Sequence, residues 1–300
     1  MKNINFVSKF RKANITSIAM FILSLIFITF KGLNYGIDFK GGTLIELRTD
    51  TSVDAASIRN SLNSMSLGDV NVKNFGKDGD FLIKVEQKNI NNSSLIPSIK
   101  KNLANNLNAD IDFRRVENVG PKVSSELLES SVIAISLALA AMLFYIWVRF
   151  EWQFSVGSII ALFHDVIITL GIFSALSLEI NLSIIAAVLT IVGYSMNDTV
   201  VIYDRIRENL LKYTKISISD VSNLSINETF SRTIITSATT LLALFSIYIL
   251  GGEILKGFSF AMILGVIIGT YSSIFVASPI LKFFKVSYKT LEKDEEKIEP

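Results

Sequence analysis

Two adjacent polar residues, Asn197 and Asp198, lie within a stretch of sequence that otherwise has the composition of a membrane-spanning helix. Apolar residues continue beyond them through positions 200–203. An ionisable side chain at the bilayer centre costs roughly 2.5–3.5 kcal/mol, so such groups usually face a bundle interior or a water path. The Asp198 carboxylate therefore either sits near the lipid headgroups or faces the bundle, where it can gain and lose a proton. The continued apolar run favours the second interpretation.

Arg232 begins a later apolar stretch and has two interpretations. It is either a positively charged anchor at the membrane boundary or the counter-charge of a buried carboxylate. The residues that follow it include several hydroxyl side chains, which allow close helix packing and can line a wet path. These hydroxyls belong to Thr233, Thr236, Ser237, Thr239 and Thr240.

His164 and Asp165 lie side by side in the middle of another apolar stretch. Adjacent positions of a helix point about 100° apart, so we expect no direct bond between the two side chains. They serve either helix packing or proton transfer, the latter as a relay or as support for Asp198. The chain has no cysteine and a single histidine, which argues against a metal site, and we expect no cofactor.

The elements that carry these residues form a membrane protein. The chain has 300 residues, half of them apolar, and a mean hydropathy of +0.47. Each apolar span is near the length that crosses about 30 Å of hydrocarbon. The predicted spans are 14–31, 129–148, 154–177, 181–203, 233–251 and 257–284. The predicted organisation is an N-terminal tail (1–13), helix 1 (14–31), an external domain (32–128), helices 2–6 (129–284) and a charged tail (285–300).

Lysine and arginine residues predict the orientation of these spans. They are concentrated in the N-terminal tail, in the 204–232 connection and in the C-terminal tail, whereas the 178–180 connection has none. Positively charged connections stay in the cytoplasm, so both termini are expected there and residues 32–128 outside. No small-residue cleavage pattern follows the first span, which predicts an uncleaved anchor.

The 32–128 segment has the pattern of a small α+β domain. Strands are expected at 43–49, 69–75, 81–86 and 110–116, and helices at 53–65 and 94–107. Asp54 or Ser52 could cap the first of these helices. The order β-α-β-β-α-β is that of the split βαβ, ferredoxin-like fold. The predicted fold class is thus a polytopic α-helical membrane protein whose external ferredoxin-like domain lies between helices 1 and 2.

Several motifs resemble those of the SecD/SecF family. The segment 36–43, which contains Gly36, Asp38, Gly41 and Gly42, is similar to the motif after the first helix of that family. The segments 119–123, 149–152, 163–166 and 193–209 resemble its SecF branch. The resemblance extends over roughly residues 20–285, and the long run at 193–209 is its most specific part.

The resemblance implies a subunit of the bacterial Sec protein-export machinery, related to RND transporters and located in the inner (cytoplasmic) membrane. It implies pairing with a SecD-like subunit, and action with the SecYEG channel and indirectly with the SecA motor on unfolded exported polypeptides. The proton gradient would drive this translocation. The proton-pathway acid of the family falls on Asp198 and its arginine on Arg232; Asn197, His164 and Asp165 are secondary candidates.

Other functions are weighed against this one. The first is a self-contained RND-type proton-coupled efflux transporter, which needs a substrate cavity. The second is an intramembrane serine protease using Ser195 and His164, although no oxyanion donors are evident. The third is a non-catalytic scaffold. The sequence has no phosphate-binding loop, so we expect a transport subunit rather than an enzyme. A net charge of +2 gives no reason to expect nucleic acid.

Overall fold

The computed structural model describes residues 4–50, 53–65, 67–86, 92–107 and 109–295. These residues divide into two compact units. One unit contains residues 4–34, Ile135–Leu178 and 183–295. The other contains Tyr35–Ala134 together with four residues from later in the chain, Glu179–Leu182.

The first unit is a helix bundle. Six helices in the described part of the chain are long and apolar enough to cross a membrane, which confirms the predicted number. A five-residue π-helix (Ser273–Ala277) and α10 (Ser278–Phe283) continue the last of them. The helices are α1 (Phe10–Phe30), α5 (Pro121–Arg149), α6 (Trp152–Ala175), α7 (Leu182–Lys212), α8 (Ile218–Leu250) and α9 (Glu253–Ser272).

The helices differ in how much of their surface the bundle covers. More than half of the apolar window is buried in α6 (56%) and in the span that contains α9 (67%), compared with 11% in α1 and 17% in α8. The core between them includes Phe154, Tyr203 and Leu281. The outer helices therefore present apolar faces that lipid or another chain must cover.

The end of the chain is partly helical. The sequence predicted a charged tail over 285–300. Within it, residues Tyr288–Glu295 form a short helix, α11, while 296–300 lie outside the described residues.

The second unit contains a four-stranded antiparallel sheet. Its strands are β2 (Gly42–Arg48), β3 (Asp69–Asn74), β4 (Asp80–Glu86) and β5 (Asp112–Val119), and they lie in the order β3-β4-β2-β5. The helices are α2 (Ile37–Lys40), α3 (Ala55–Asn63) and α4 (Asn92–Leu107). This order and connectivity confirm the ferredoxin-like domain between helices 1 and 2.

The core of this unit explains why its sequence alternates. Ile45 of β2 and Ile83 of β4 are direct partners in the sheet, and both are fully buried together with Ile58 of α3 and Leu103 of α4. Both longer helices therefore cover the same face of the sheet. Asp54 caps α3 by accepting a hydrogen bond from the Ser57 amide at 2.8 Å, whereas the alternative cap, Ser52, lies outside the described residues.

Two details differ from the expected elements. The last strand begins at Asp112 and runs to Val119 instead of ending at 116, because it pairs with β2 as far as Gly42. In addition, two short strands, β1 (Asn34–Tyr35) and β6 (Glu179–Ile180), pair with each other. In the sequence, the 178–180 region was noted only as a connection without lysine or arginine.

Candidate functional site

Helix α7 places Asp198 inside the bundle. The helix continues without interruption from Leu182 to Lys212, so the carboxylate lies well within it rather than at its end. Asp198 is 2% exposed, whereas the preceding Asn197 is exposed. Successive residues point about 100° apart on a helix, which separates the two side chains. The structure therefore places Asp198 toward the bundle interior and Asn197 on its outer surface.

The nearest partners of Asp198 are hydroxyl groups. Thr270 of α9 donates to the Asp198 Oδ2 atom over a long distance of 3.4 Å. Ser237 of α8 hydrogen-bonds Thr270 at 2.7 Å and also interacts with the Asp198 carboxylate. Neutral hydroxyls can donate to the ionised acid and accept from the protonated acid, so this environment accommodates both states.

Arg232 is close enough to Asp198 for electrostatic attraction. Its side chain is exposed on α8, and within the described residues no ion pair of 4.0 Å or less joins it to an acid. The structure thus brings Arg232 to the neighbourhood of Asp198 without direct pairing.

His164 and Asp165 form a second polar centre, and they do bond each other. The His164 Nδ1 atom lies 2.9 Å from Asp165 Oδ1, so the expectation of no direct bond is wrong. Two serine hydroxyls donate to the other carboxylate oxygen, Ser195 at 2.6 Å and Ser272 at 2.7 Å. These bonds fix the carboxylate between α6, α7 and α9. The imidazole reaches it because rotation about the side-chain bonds of His164 compensates for the angle of about 100° between adjacent helix positions.

A run of small and hydroxyl residues in α9 connects the two centres. Thr270 contacts Asp198, and Ser272 contacts Asp165. Gly269 lies against Ser195, where an added Cβ would be 2.9 Å from the serine Cβ. Ser273 hydrogen-bonds Thr199 at 2.8 Å. This run was not among the predicted site residues, although hydroxyls at consecutive positions of an apolar span are a signal of such a site.

The π-helix that follows has a local cause. A proline removes the hydrogen bond to the carbonyl four residues earlier and its ring collides with that carbonyl. Pro279 therefore conflicts with the Phe275 carbonyl, which lies inside the π-helical segment. Wide turns of this kind are frequent at functional sites. Here the wide turn adjoins the hydroxyl run that contacts both acids.

Ion pairs surround the C-terminal part of α7. Arg205 pairs with Glu228 at 2.7 Å and with Glu208 at 2.5 Å, and Arg207 pairs with the buried Glu151 at 3.0 Å. Between Asp198 and this part of α7, Tyr203 is completely buried, and its hydroxyl donates a hydrogen bond to the Ala277 carbonyl at 2.9 Å. Packed and ion-paired side chains thus cover the centres at Asp198 and Asp165 on the side of the C-terminal part of α7.

The glycine motif after α1 lies in the other unit. Gly41 and Gly42 have φ values of +78° and +131°, which side chains other than glycine rarely adopt. They lead the chain from α2 into β2. The Asp38 Oδ2 atom accepts a hydrogen bond from the Leu182 amide at 2.9 Å, and the Gly36 amide donates to the Ile180 carbonyl at 2.8 Å. Across the described ranges, no group of three His, Asp or Glu side chains could hold a metal ion.

Comparisons with known proteins identify the family. The C-terminal profile of the protein-export membrane proteins SecD and SecF matches residues 99–287, and the SecD/SecF GG motif matches residues 26–53. The protein translocase subunit SecF of Rickettsia bellii is 48% identical over 92% of this chain and 91% of its own length. The corresponding Rickettsia rickettsii protein is 46% identical over 95% and 94%.

Comparisons with solved structures point to the same family. The crystal structure of SecDF from Thermus thermophilus, a translocon-associated membrane protein, superimposes with a TM-score of 0.86 at 35% identity. The match covers 94% of this chain and 39% of the SecDF chain, so the present chain spans about two fifths of that protein's length. A second SecDF structure, in a super-membrane-facing form, gives a TM-score of 0.71. The chain is a multi-pass membrane protein and belongs to the SecD/SecF family of protein translocase subunits.

Proposed function

We propose that this chain pairs with a SecD subunit in the inner membrane and uses the proton gradient to drive protein export, with Asp198 as its proton-carrying acid. The observation that supports this role is the burial of Asp198 inside an apolar bundle with neutral hydroxyls as its close partners. An unpaired charge is costly there, so protonation and a change of local structure are linked. A proton that crosses 100 mV releases about 2.3 kcal/mol, enough to bias an element with two positions.

Polar residues on the outer surface of α7 and α8 support the proposal that a partner subunit is present. Asn197 and Arg232 are exposed polar residues in helices that otherwise cross the membrane. Lipid cannot satisfy such groups, whereas the helices of a second chain can. The solved structures that match this chain are of SecDF, which supports a SecD partner. Affinity capture from membranes should recover a SecD subunit and SecYEG; recovery of neither at native expression levels contradicts the assembly.

The test of the proton role is Asp198→Asn, which keeps the size and polarity of the side chain but cannot ionise. Inverted vesicles that carry the variant should lose the stimulation of export by a proton gradient while their ATP-driven step through SecA survives. Asp204→Asn is the matched control, because Asp204 is a half-exposed acid on the same helix that pairs with Arg149. Full gradient stimulation by Asp198→Asn at wild-type protein levels would favour the scaffold instead.

The alternatives have weaker support. An efflux transporter needs a substrate cavity, and the bundle does have a groove of about 500 Å³ between α1, α6 and α10. Its lining is apolar apart from Asn14, Ser17 and His164, and it does not include Asp198. A serine protease needs a histidine that accepts the serine proton. The Ser195 hydroxyl donates to Asp165 rather than to His164.

A further inference from the structure

The short connection between α6 and α7 belongs to the unit that contains the sheet. We call its four residues, Glu179–Leu182, the strap. We propose that the strap transmits the position of α7, the helix of Asp198, to the sheet domain, and that Asp38 and Lys84 are the positioning residues that hold it. This inference rests on the proposed function of Asp198 and adds a route by which that acid acts on the external domain.

Asp38 holds the first residue of α7. The first amides of a helix have no partner within the helix, and a negative charge is favourable beside them. The Asp38 Oδ2 atom supplies both, since it accepts the Leu182 amide at 2.9 Å. The two residues are 144 positions apart in the sequence. A side chain of the glycine motif thus defines where the helix of the candidate acid begins.

The backbone of the glycine motif lies directly against the strap. The Gly36 amide donates to the Ile180 carbonyl at 2.8 Å, as part of the pairing of β1 with β6. A Cβ atom at Gly36 would lie 2.6 Å from the Glu179 Oε1 atom and 3.3 Å from the Ile180 carbonyl oxygen. The close approach leaves no room for a side chain, so position 36 requires glycine for packing rather than for its backbone angles.

Lys84 joins the strap to the sheet itself. It forms an ion pair with Glu179, and the two side chains are only 17% and 26% exposed. Lys84 lies on β4, where Ile83 and Val85 on either side point into the core beneath α3 and α4. Side chains alternate along a strand, so Lys84 points to the opposite face. The strap is therefore held by a strand that pairs on both sides, with β2 and with β3.

Helix α7 provides a stiff connection from the strap to the acid. It contains no proline and is continuous from Leu182 to Lys212. Asp198 lies about 24 Å along it from Leu182, at about 1.5 Å per residue. Energetic coupling over such distances is carried by rigid elements with two arrangements. A shift of α7 that follows protonation of Asp198 is thereby transmitted to Leu182, Glu179 and β4.

Charge reversal tests this route in the whole protein with its SecD partner. Lys84→Glu and Glu179→Lys place like charges together, and each should lower the gradient-dependent stimulation of export at least about threefold. The double variant restores an opposite pair in reverse order and should recover most of the stimulation. The control is the same set at Arg115 and Glu117, an ion pair between two residues of β5. Unchanged single variants, or a double variant without recovery, overturn the inference.

Hydrogen exchange gives a readout that does not depend on export. Asp38→Ala should raise the exchange rate of the Leu182 amide about fivefold, the usual effect of losing a helix cap. Asp38→Asn keeps an acceptor oxygen and should stay close to wild type. Equal exchange in all three proteins overturns the role of Asp38 whatever the export assay shows. Export by the wild type without any stimulation by the gradient would instead refute the proposed function. The exchange rate of the Leu182 amide would then still test whether Asp38 holds the strap.

Discussion

The acids of the two polar centres, Asp165 and Asp198, differ in the number of hydrogen-bond donors around them. Asp165 receives hydrogen bonds from Ser195 and Ser272 and also contacts His164. Asp198 has one long bond from Thr270 and the neighbouring Ser237. A carboxylate with several short donors is held in one geometry, whereas one with few donors can change its charge at smaller structural cost. We therefore expect Asp165 to position helices and Asp198 to exchange a proton.

Replacements of Arg232 should show whether gradient-dependent export needs the positive charge of this side chain or the planar shape of its guanidinium group. Arg232→Lys keeps the positive charge but loses the planar group with its several donors, so partial gradient-dependent export is expected. Arg232→Gln removes the charge and should abolish it. Export by inverted vesicles with and without a proton gradient measures both variants. If Arg232→Gln retains full stimulation, Arg232 is only an anchor at the membrane boundary.

Replacement of Asp165 should affect stability first. Asp165→Ala leaves the Ser195 hydroxyl and the His164 Nδ1 atom without their shared partner in a buried site, whereas the Ser272 hydroxyl keeps the Gly269 carbonyl as an acceptor. Each unsatisfied buried group costs about 1–3 kcal/mol, so several kcal/mol of stability should be lost. Asp165→Asn keeps an oxygen acceptor and should lose less.

Thermal unfolding of the purified protein in detergent gives the comparison between the two variants. Gradient-dependent export by the folded Asp165→Asn protein then distinguishes packing from proton transfer. A variant with wild-type stimulation means that Asp165 and His164 serve packing. Loss of stimulation in a stable, correctly assembled variant would assign them to the relay.

Single residues show which parts of the site the sequence could predict. The depth of Asp198 followed from composition, because apolar residues flank it on both sides. The contacts of His164 and Asp165 did not, because an angle between helix positions says nothing about how a flexible side chain turns. The partners Thr270 and Ser272 come from a helix more than 70 positions away in the sequence. Their role depends on the packing of α9 against α6 and α7, which no local pattern encodes.

At the scale of elements, the sheet domain has a charged pair with a predictable response to pH. Two Arg48 nitrogens, Nε and Nη2, bond the two Asp80 carboxylate oxygens at 2.5 and 2.6 Å. These bonds hold the pKa of the Asp80 carboxyl below its ordinary value. An unfolded aspartate has a pKa of about 3.9, so the stabilisation is present above about pH 4. It is lost as the pH falls through the lower pKa of the folded domain.

The prediction is that Asp80→Asn lowers the stability of the domain near neutral pH and weakens its acid dependence. A fragment of residues 36–120 contains the complete sheet with α3 and α4 and should give a mixed helix and strand circular dichroism spectrum. Urea unfolding of this fragment at pH 7 and at pH 3 measures the effect. Asp78→Asn is the control, because Asp78 is exposed in the turn between β3 and β4. Equal acid sensitivity of both variants contradicts the assignment.

At the scale of the whole molecule, the number of spans and the β-α-β-β-α-β order followed from the sequence. Both depend on periodicities that each element carries within itself. The strap did not follow, because β6 has only two residues and because the residues that hold the strap, Asp38 and Lys84, lie in other segments. The hydropathy pattern also placed the start of the fourth span at residue 181. It therefore gave no sign that Glu179–Leu182 belong to the sheet unit.

Orientation in the membrane is the remaining property of the whole molecule. We propose that the sheet domain lies outside and both termini in the cytoplasm, because Arg205, Arg207 and Lys212 lie at the C-terminal end of α7. Positively charged residues that flank a membrane span tend to stay on the cytoplasmic side. The chain has no cysteine, so single cysteines report their own positions. In intact spheroplasts, Asp78→Cys should react with an impermeant thiol reagent, and Thr214→Cys should react only after permeabilisation. Both positions are exposed, so accessibility within the fold is matched. Labelling of position 214 but not of 78 in intact spheroplasts would invert the topology and place the strap, with the N-terminus of α7, on the cytoplasmic side.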